Sequence, residues 1–257
     1  MSEKFRFAEP QDPEKLIYKK TGGRKREIKP EQIERGRQEY EKRKNEMVVQ
    51  AILKHVKAMS YRGLRVGSSV LAENRDSKDG YQIEAAYNYK PIELAQFGWD
   101  KLCAENNACS TVIMDGAKYI PALVVASHHK EIGQEPIDKI HSKEVLHSCH
   151  NCRNLFRDLK KRGIMSDETM LLFVDDGPLV YEDKNDTEEG IVLNNGEVLV
   201  IDLPKLKLIK DITEADVTGL PREETTLGRF LERYKYDEPA KRKDQRIKPP
   251  YDFILER

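Results

Sequence analysis

Two short segments that contain cysteine constrain this chain more than any other feature. The first is Cys103-Ala104-Glu105, and the second carries Cys149 and Cys152 as a Cys-x-x-Cys pair. Cysteines three residues apart on a helix lie on one face, so these two thiols can chelate one ion. A helix N-terminus also favours the thiolate form that metal binding requires. The two segments therefore predict a metal centre built by the beginnings of two helices.

This predicted centre has three cysteine ligands and a neighbouring carboxylate. Three protein ligands leave the fourth position of a zinc ion open, which distinguishes catalytic sites from structural ones. A ligand two residues before a glutamate, followed downstream by Cys-x-x-Cys, is the signature of zinc deaminases, and an all-cysteine variant of it exists. We therefore expect Glu105 to take a proton from zinc-activated water and to pass it to the ring nitrogen and the leaving ammonia.

Two other interpretations of the cysteines remain open. A structural zinc site would need Cys109 as a fourth ligand, but six residues of helix rotate it about 240° away from Cys103. The other alternative is a redox Cys-x-x-Cys pair. Under the preferred interpretation, Cys109 is a small core residue.

The histidines form a loose group in the sequence. Five of the six lie between His128 and His150. A solvated loop accounts for most of them, and His147 and His150, which flank Cys149, are the two expected to line a pocket.

Hydrophobic periodicity predicts an α/β arrangement. Apolar residues recur at three- and four-residue steps up to about Ser60, which indicates a helix that begins at Pro30. Strands are expected at 64–73, 81–87, 121–127, 169–175 and 190–202, and further helices at 99–114 and 149–162. This order fits a mixed sheet with helices on its faces.

Composition divides the chain into three parts. Residues 1–45 form a charged arm and the charged half of the first helix, residues 46–210 the catalytic domain, and residues 211–257 a charged extension. A chain of 257 residues is long enough for one large domain with such additions.

Charge and hydropathy limit the partners. The chain has 45 basic and 45 acidic residues, whereas a domain that binds nucleic acid usually has an excess of basic charge. No apolar run is long enough to cross a bilayer, and the first residues carry no apolar signal segment. We therefore expect a cytoplasmic protein, or a nuclear one, that has no membrane partner and keeps its cysteines reduced.

The motif and its surroundings resemble the cytidine deaminase family, specifically the free-nucleoside branch with three cysteine ligands. Residues 61–71, Tyr-Arg-Gly-Leu-Arg-Val-Gly-Ser-Ser-Val-Leu, are similar to the family's first strand, and 196–204 to its last strand. Tyr87-Asn88 resembles the end of the second strand, where an asparagine contacts the ribose. The resemblance covers roughly residues 46–210 and implies a three-layer α/β/α fold with a mixed five-stranded sheet.

The resemblance implies a zinc enzyme that converts a free cytosine nucleoside or nucleotide, or a related aminopyrimidine nucleoside, to the uracil form with release of ammonia. It assigns zinc to Cys103, Cys149 and Cys152. It also implies a homo-oligomer in which neighbouring chains close each pocket. The expected substrate contacts are Asn88, Lys90 and Ala104.

The sequence departs from the family pattern near the substrate and near the metal. Ser148 stands where the family usually has proline before the first cysteine of the pair. Asn106 occupies the place of an arginine that offsets thiolate charge, which leaves Arg153 as the candidate for that role. Lys90 falls in the ribose-binding segment and is suited to a phosphate, or else is a surface lysine, and Glu93 is a candidate for the missing carboxylate.

Two other functions compete with this one. A polynucleotide deaminase acting on RNA or single-stranded DNA would need a basic channel lined by aromatic side chains. Zero net charge and 7% aromatic residues disfavour it, although the basic segment 19–26 favours it. A partner-binding relative without activity is the third possibility, and the intact Glu105 argues against it.

The final strands distinguish the branches of the superfamily. They form an antiparallel hairpin in the free-nucleoside branch, whereas a helix separates parallel strands in the polynucleotide and tRNA branches. Residues 177–189 have no apolar helical period and make a poor crossover helix. We therefore predict that 169–175 and 190–202 pair as antiparallel strands around a charged insertion at 182–189.

Overall fold

A five-stranded mixed sheet forms the centre of the molecule. The computed structural model describes residues 26–58, 65–74, 77, 79–88, 103–128, 145–194 and 197–235. The strands are β1 (Gly67–Glu73), β2 (Tyr81–Tyr87), β3 (Tyr119–Ser127), β4 (Met170–Asp175), β5 (Val180–Asn194), β6 (Glu197–Leu208) and β7 (Arg222–Thr226). The helices are α1 (Pro30–Val56), α2 (Ala104–Met114), α3 (His150–Arg162) and α4 (Leu227–Arg233).

The sheet has the strand order β2-β1-β3-β4-β7. Strands β1 and β2 are antiparallel, as are β1 and β3, and β4 and β7. Among the strands of the described residues, β3 and β4 are the one parallel pair, and the chain joins them through α3. Because parallel neighbours require such a crossover, the N-terminus of α3 lies at the edge of the sheet where β3 and β4 end.

Helices cover both faces of the sheet, which gives the predicted three layers. On one face α1 packs through residues such as Met47, Ala51 and Ile52. On the other face α2, α3 and α4 share an apolar core with the sheet, to which Phe156, Phe173 and Phe230 contribute. All nine residues of β3 are buried, as expected for a central strand covered on both sides. No helix in the described parts of the chain has the length and apolar character needed to span a membrane.

The charged first half of α1 packs against the sheet. Tyr40 is buried, and its hydroxyl lies 3.1 Å from a carboxylate oxygen of Glu224 in β7. Gly36 lies so close to Pro121 and Tyr119 that a side chain at this position would collide with them. The charges of this half of the helix therefore lie on its exposed side.

The prediction that β4 pairs with residues 190–202 is wrong. The antiparallel partner of β4 is β7, which lies in the part of the chain beyond residue 210 that composition had set apart. No helix separates β4 from β7 among the described residues, so the antiparallel orientation agrees with the prediction while the partner does not. The reason is that β7, with the sequence Arg-Glu-Glu-Thr-Thr, is a short edge strand whose outward side chains are charged and give no apolar signal.

Residues 182–202 instead belong to a separate two-stranded hairpin of β5 and β6. The charged segment 182–189, which was expected to be a turn, is part of strand β5. Arg65 attaches this hairpin to the residues before β1, because its Nη2 lies 2.8 Å from a carboxylate oxygen of Glu188 and donates to the carbonyl of Pro204 at 2.6 Å.

Gly67 allows the close approach of β1 to α1. A Cβ at this position would overlap the carbonyl oxygen of Ala51 and the backbone nitrogen of His55. Both atoms belong to the backbone of α1, so they can move only if α1 moves. We expect Gly67→Ala to lower the free energy of unfolding by about 3 kcal/mol, as overpacking against fixed backbone does. Urea denaturation measures this change. Gly219→Ala is the control, because nothing lies within 4 Å of the added methyl group. A similar loss of stability in both variants would contradict the close approach of β1 to α1 at Gly67.

Candidate metal centre

The three predicted ligands come together at the beginnings of two helices. Cys103 is the last extended residue before α2, and Cys149 occupies the same position before α3. Cys152 lies in the first turn of α3. The sulfur of Cys149 is 3.4 Å from that of Cys103 and 3.6 Å from that of Cys152, and all three sulfurs lie within 4.8 Å of one another.

These distances suit a single metal ion. Zinc binds thiolate sulfur at about 2.3 Å, and tetrahedral geometry then places neighbouring sulfurs about 3.8 Å apart. The observed separations are slightly shorter than this value, so a small outward movement of the side chains would accommodate the ion. Thiolate sulfur donors also favour zinc over harder divalent metals such as magnesium and calcium.

The cluster is buried, which bears on the charge it can hold. Cys103 is 6% exposed and Cys152 is 1% exposed. The contact with Cys149 is the largest factor that raises the pKa of Cys103, and the contacts with Cys103 and Cys149 raise the pKa of Cys152. Three thiolates can coexist in this space only if a cation offsets their charge, so the chemistry of the donor set fits a bound metal.

Glu105 lies in the first turn of α2, two residues after Cys103. Its side chain is buried, with 4% of the residue exposed. After the contacts among the thiols and burial, the negative charge of its carboxylate also raises the pKa of Cys103 and of Cys152. Ala104, between the cysteine and the glutamate, is fully buried.

Cys109 lies apart from the cluster. It is buried in the apolar core on the α2 side of the sheet, where desolvation raises the pKa of its thiol. All four cysteines belong to the described residues, and only three of them come together. The arrangement therefore agrees with the helical spacing that separated Cys109 from Cys103.

Arg153 holds the backbone that leads into Cys149. Its buried guanidinium donates to the carbonyl oxygen of Ser148 at 2.6 Å and lies 4.2 Å from the centre of the Tyr234 ring. The hydroxyl of Ser148 is buried and has no hydrogen-bond partner among the described residues. By binding this carbonyl oxygen, Arg153 fixes the peptide bond between Ser148 and Cys149.

His147 supports the same segment from the other side. Its Nδ1 lies 2.7 Å from the Tyr234 hydroxyl, and its Nε2 lies 2.9 Å from a carboxylate oxygen of Glu223. The ring also packs against Phe173 and Phe230. Burial disfavours the carboxylate of Glu223, yet its hydrogen bonds to Arg233 and His147 lower its pKa.

The interpretation of His147 and His150 as pocket residues finds no support in these contacts. His147 belongs to the network just described, and His150 accepts a hydrogen bond from the side chain of Asn154 at 2.8 Å. Sequence reasoning missed Glu223 and Tyr234, because only the fold brings them to the segment before Cys149. The position of His147, two residues before the ligand Cys149, was the one signal available.

Asn88 lies at the end of β2, next to the start of α2. Its side-chain oxygen accepts a hydrogen bond from the backbone N–H of Val66. Asn107 of α2 donates to the carbonyl oxygen of Tyr87 at 3.2 Å, which joins the two elements. The predicted contact Lys90, and Glu93, lie outside the described residues.

Comparison with known proteins gives similarity at the level of structure alone. No family model matches the sequence, and no curated protein matches it either. The solved cytidine deaminase of Burkholderia pseudomallei is 14% identical, with a TM-score of 0.36 over 61% of this chain and 90% of that one. That of Mycobacterium tuberculosis is 20% identical, with a TM-score of 0.33 over 49% and 81%. That of Mycobacterium leprae is 17% identical, with a TM-score of 0.31 over 47% and 79%.

Proposed function

We propose that this chain is a zinc-dependent hydrolytic deaminase that converts a free cytosine nucleoside or nucleotide, or a related aminopyrimidine nucleoside, to the uracil form with release of ammonia. One observation carries the proposal: three cysteine sulfurs meet at two helix N-termini, and one of these helices carries a buried glutamate in its first turn. A structural zinc site would need a fourth protein ligand, and the remaining cysteine, Cys109, lies apart in the core.

The three sulfurs of Cys103, Cys149 and Cys152 would hold the zinc. When bound in such an open three-ligand site, zinc supplies the acidity that turns water into a nucleophile at neutral pH. The two helix N-termini favour the thiolate forms of Cys103 and Cys149. The protein groups around them fix the ligands in place, since Arg153 holds the backbone just before Cys149.

Glu105 would carry the protons. A hydrolytic deamination needs one group that removes a proton from the attacking water and then delivers protons to the ring nitrogen and to the departing ammonia. Glu105 is buried, so bulk water would compete little for this proton transfer. Its place two residues after Cys103 keeps the carboxylate on the same short segment as a ligand.

The remaining parts of the substrate would be recognised by residues around the α2 N-terminus. Asn88 is assigned to the ribose, and Ala104 to the wall of the pocket next to the base. Arg153 is assigned to offset thiolate charge, and its burial beside the Cys149 segment supports this. Lys90 is assigned to a substrate phosphate.

An assay of ammonia release from a panel of compounds tests the substrate class. The panel contains cytidine, deoxycytidine, their phosphates, adenosine and short oligonucleotides. We expect turnover of monomeric cytosine compounds and none of oligonucleotides. The antiparallel pairing of β4 with β7 supports this expectation over a polynucleotide substrate. Deamination of oligonucleotides with none of monomers would reverse the choice.

Lys90→Ala separates nucleotide from nucleoside use. If Lys90 contacts a phosphate, the variant should lose at least tenfold in kcat/KM on cytidine monophosphate, because a charge-assisted hydrogen bond is lost. Its kcat/KM on cytidine should stay the same. Steady-state kinetics on both compounds measures this, with Lys54→Ala on α1 as a control. Equal kinetics of Lys90→Ala and wild type on both substrates would remove Lys90 from the site.

We also propose that the protein is a homo-oligomer and acts in the cytoplasm. In the oligomer, neighbouring chains would close each pocket, and sedimentation equilibrium measures the assembly directly. The cytoplasm is proposed because three free thiols this close together need a reducing compartment to remain metal ligands.

A further inference from the structure

A second group of metal-ligating side chains lies where β3 and β4 end. His128 directly follows β3, Asp175 is the last residue of β4, and Asp176 follows it. An imidazole nitrogen of His128 and one carboxylate oxygen from each aspartate all lie within 4.8 Å of one another. The parallel pairing of β3 and β4 brings these residues together, and none of the cysteines is among them.

Asp176 is the most unusual member of this group. It is completely buried, and its Oδ2 lies 2.6 Å from Nδ1 of His55 on α1. Its Oδ1 has no hydrogen-bond partner among the described residues. Nδ1 of His128 lies 3.5 Å from this oxygen, which is too far for a good hydrogen bond. Burying a carboxylate oxygen that lacks a hydrogen bond is costly, and a cation bound at this atom would offset that cost.

The group is accessible to solvent at His128 and closely bounded at Gly177. The side chain of His128 is 18% exposed, so the group can be reached from solvent. Gly177 borders it, and a side chain there would press against both the Asp175 carboxylate and the His128 ring at 3.2 Å. The backbone N–H of Gly177 donates to Oδ1 of Asp175 at 3.0 Å, which orients that carboxylate.

We propose that His128, Asp175 and Asp176 form a second metal site, which binds a divalent cation through one imidazole and two carboxylates. His55 positions Asp176 through their hydrogen bond, as groups behind a metal ligand commonly do. Oxygen and imidazole donors suit manganese, magnesium or zinc, whereas the cysteine cluster selects a softer ion. None of the cysteines belongs to the site, so it does not depend on the deaminase proposal.

Titration with Mn²⁺ tests the site, because Mn²⁺ prefers oxygen and imidazole over thiolate. The full chain is first loaded with one equivalent of zinc to fill the cysteines. Loss of the EPR signal of free Mn²⁺ then gives the stoichiometry and affinity. We expect one Mn²⁺ per chain, with binding at least tenfold weaker in His128→Ala and in Asp175→Asn.

Asp158→Asn, which alters an exposed carboxylate on α3, is the matched control and should bind Mn²⁺ like the wild type. Circular dichroism establishes that each variant is folded. His128 is partly exposed, so its truncation should be tolerated, and Asp175→Asn provides an independent second variant. Absence of Mn²⁺ binding at millimolar concentration, or unchanged affinity in folded His128→Ala or Asp175→Asn, would overturn the proposal.

Discussion

Glu105→Gln should retain its zinc and lose at least about 10²–10⁴-fold in turnover, the usual contribution of a general acid–base group. Glutamine nearly preserves the shape of the buried side chain, but it cannot accept the proton. The three sulfurs are unaffected, so metal content should stay at the wild-type value. Metal analysis and steady-state kinetics on the same preparation measure both quantities.

The matched control is Glu168→Gln, the same chemical change at an exposed glutamate. It should leave both zinc content and turnover unchanged. Near-normal turnover in Glu105→Gln would refute the proton-transfer role. Loss of zinc from Glu105→Gln would instead indicate that the carboxylate helps to hold the metal.

Cys149→Ala and Cys152→Ala should each lose the zinc together with the activity, and Cys109→Ala should retain both. The cluster joins α2 to α3, so metal binding also stabilises the fold. At free zinc a thousandfold above the dissociation constant, this linkage is worth about 4 kcal/mol. Thermal unfolding with and without added zinc should therefore show a large shift for the wild type and a small one for Cys149→Ala.

Cys109→Ala controls for the loss of a buried sulfur. It removes volume from the apolar core and should lower stability modestly, while leaving the zinc-dependent shift intact. Full zinc occupancy in Cys149→Ala would contradict the assignment of the ligands. Loss of zinc from Cys109→Ala would favour a structural four-cysteine site.

Local sequence spacing indicated which residues form the cysteine cluster. Cys149 immediately precedes α3 and Cys152 lies in its first turn, while Glu105 follows Cys103 by two residues, so short-range geometry fixes most of the arrangement. The six-residue helical spacing between Cys103 and Cys109 likewise predicted that Cys109 lies apart from the cluster, in the apolar core. The sequence left undetermined whether the two segments meet, because that depends on how α2 and α3 pack on the sheet.

The edge of the sheet could not be predicted in this way. Strand β7 is short, charged and half exposed, so nothing in its composition separates it from a surface loop. The apolar residues of 190–202 gave a stronger strand signal, and this signal drew the prediction to the hairpin of β5 and β6. The roles of Glu223 and Tyr234 around His147 depend on the same distant segment, so they could not be predicted either.

Zinc reconstitution tests the central claim most directly. Protein stripped with a chelator is given zinc in steps, and ammonia release from the best substrate of the panel is measured at each step. The account predicts no activity without zinc, a linear rise with added zinc, saturation at about one zinc per chain, and no recovery in Cys149→Ala. Full activity in the zinc-free protein, or no ammonia from any substrate of the panel with the zinc-loaded protein, would contradict it.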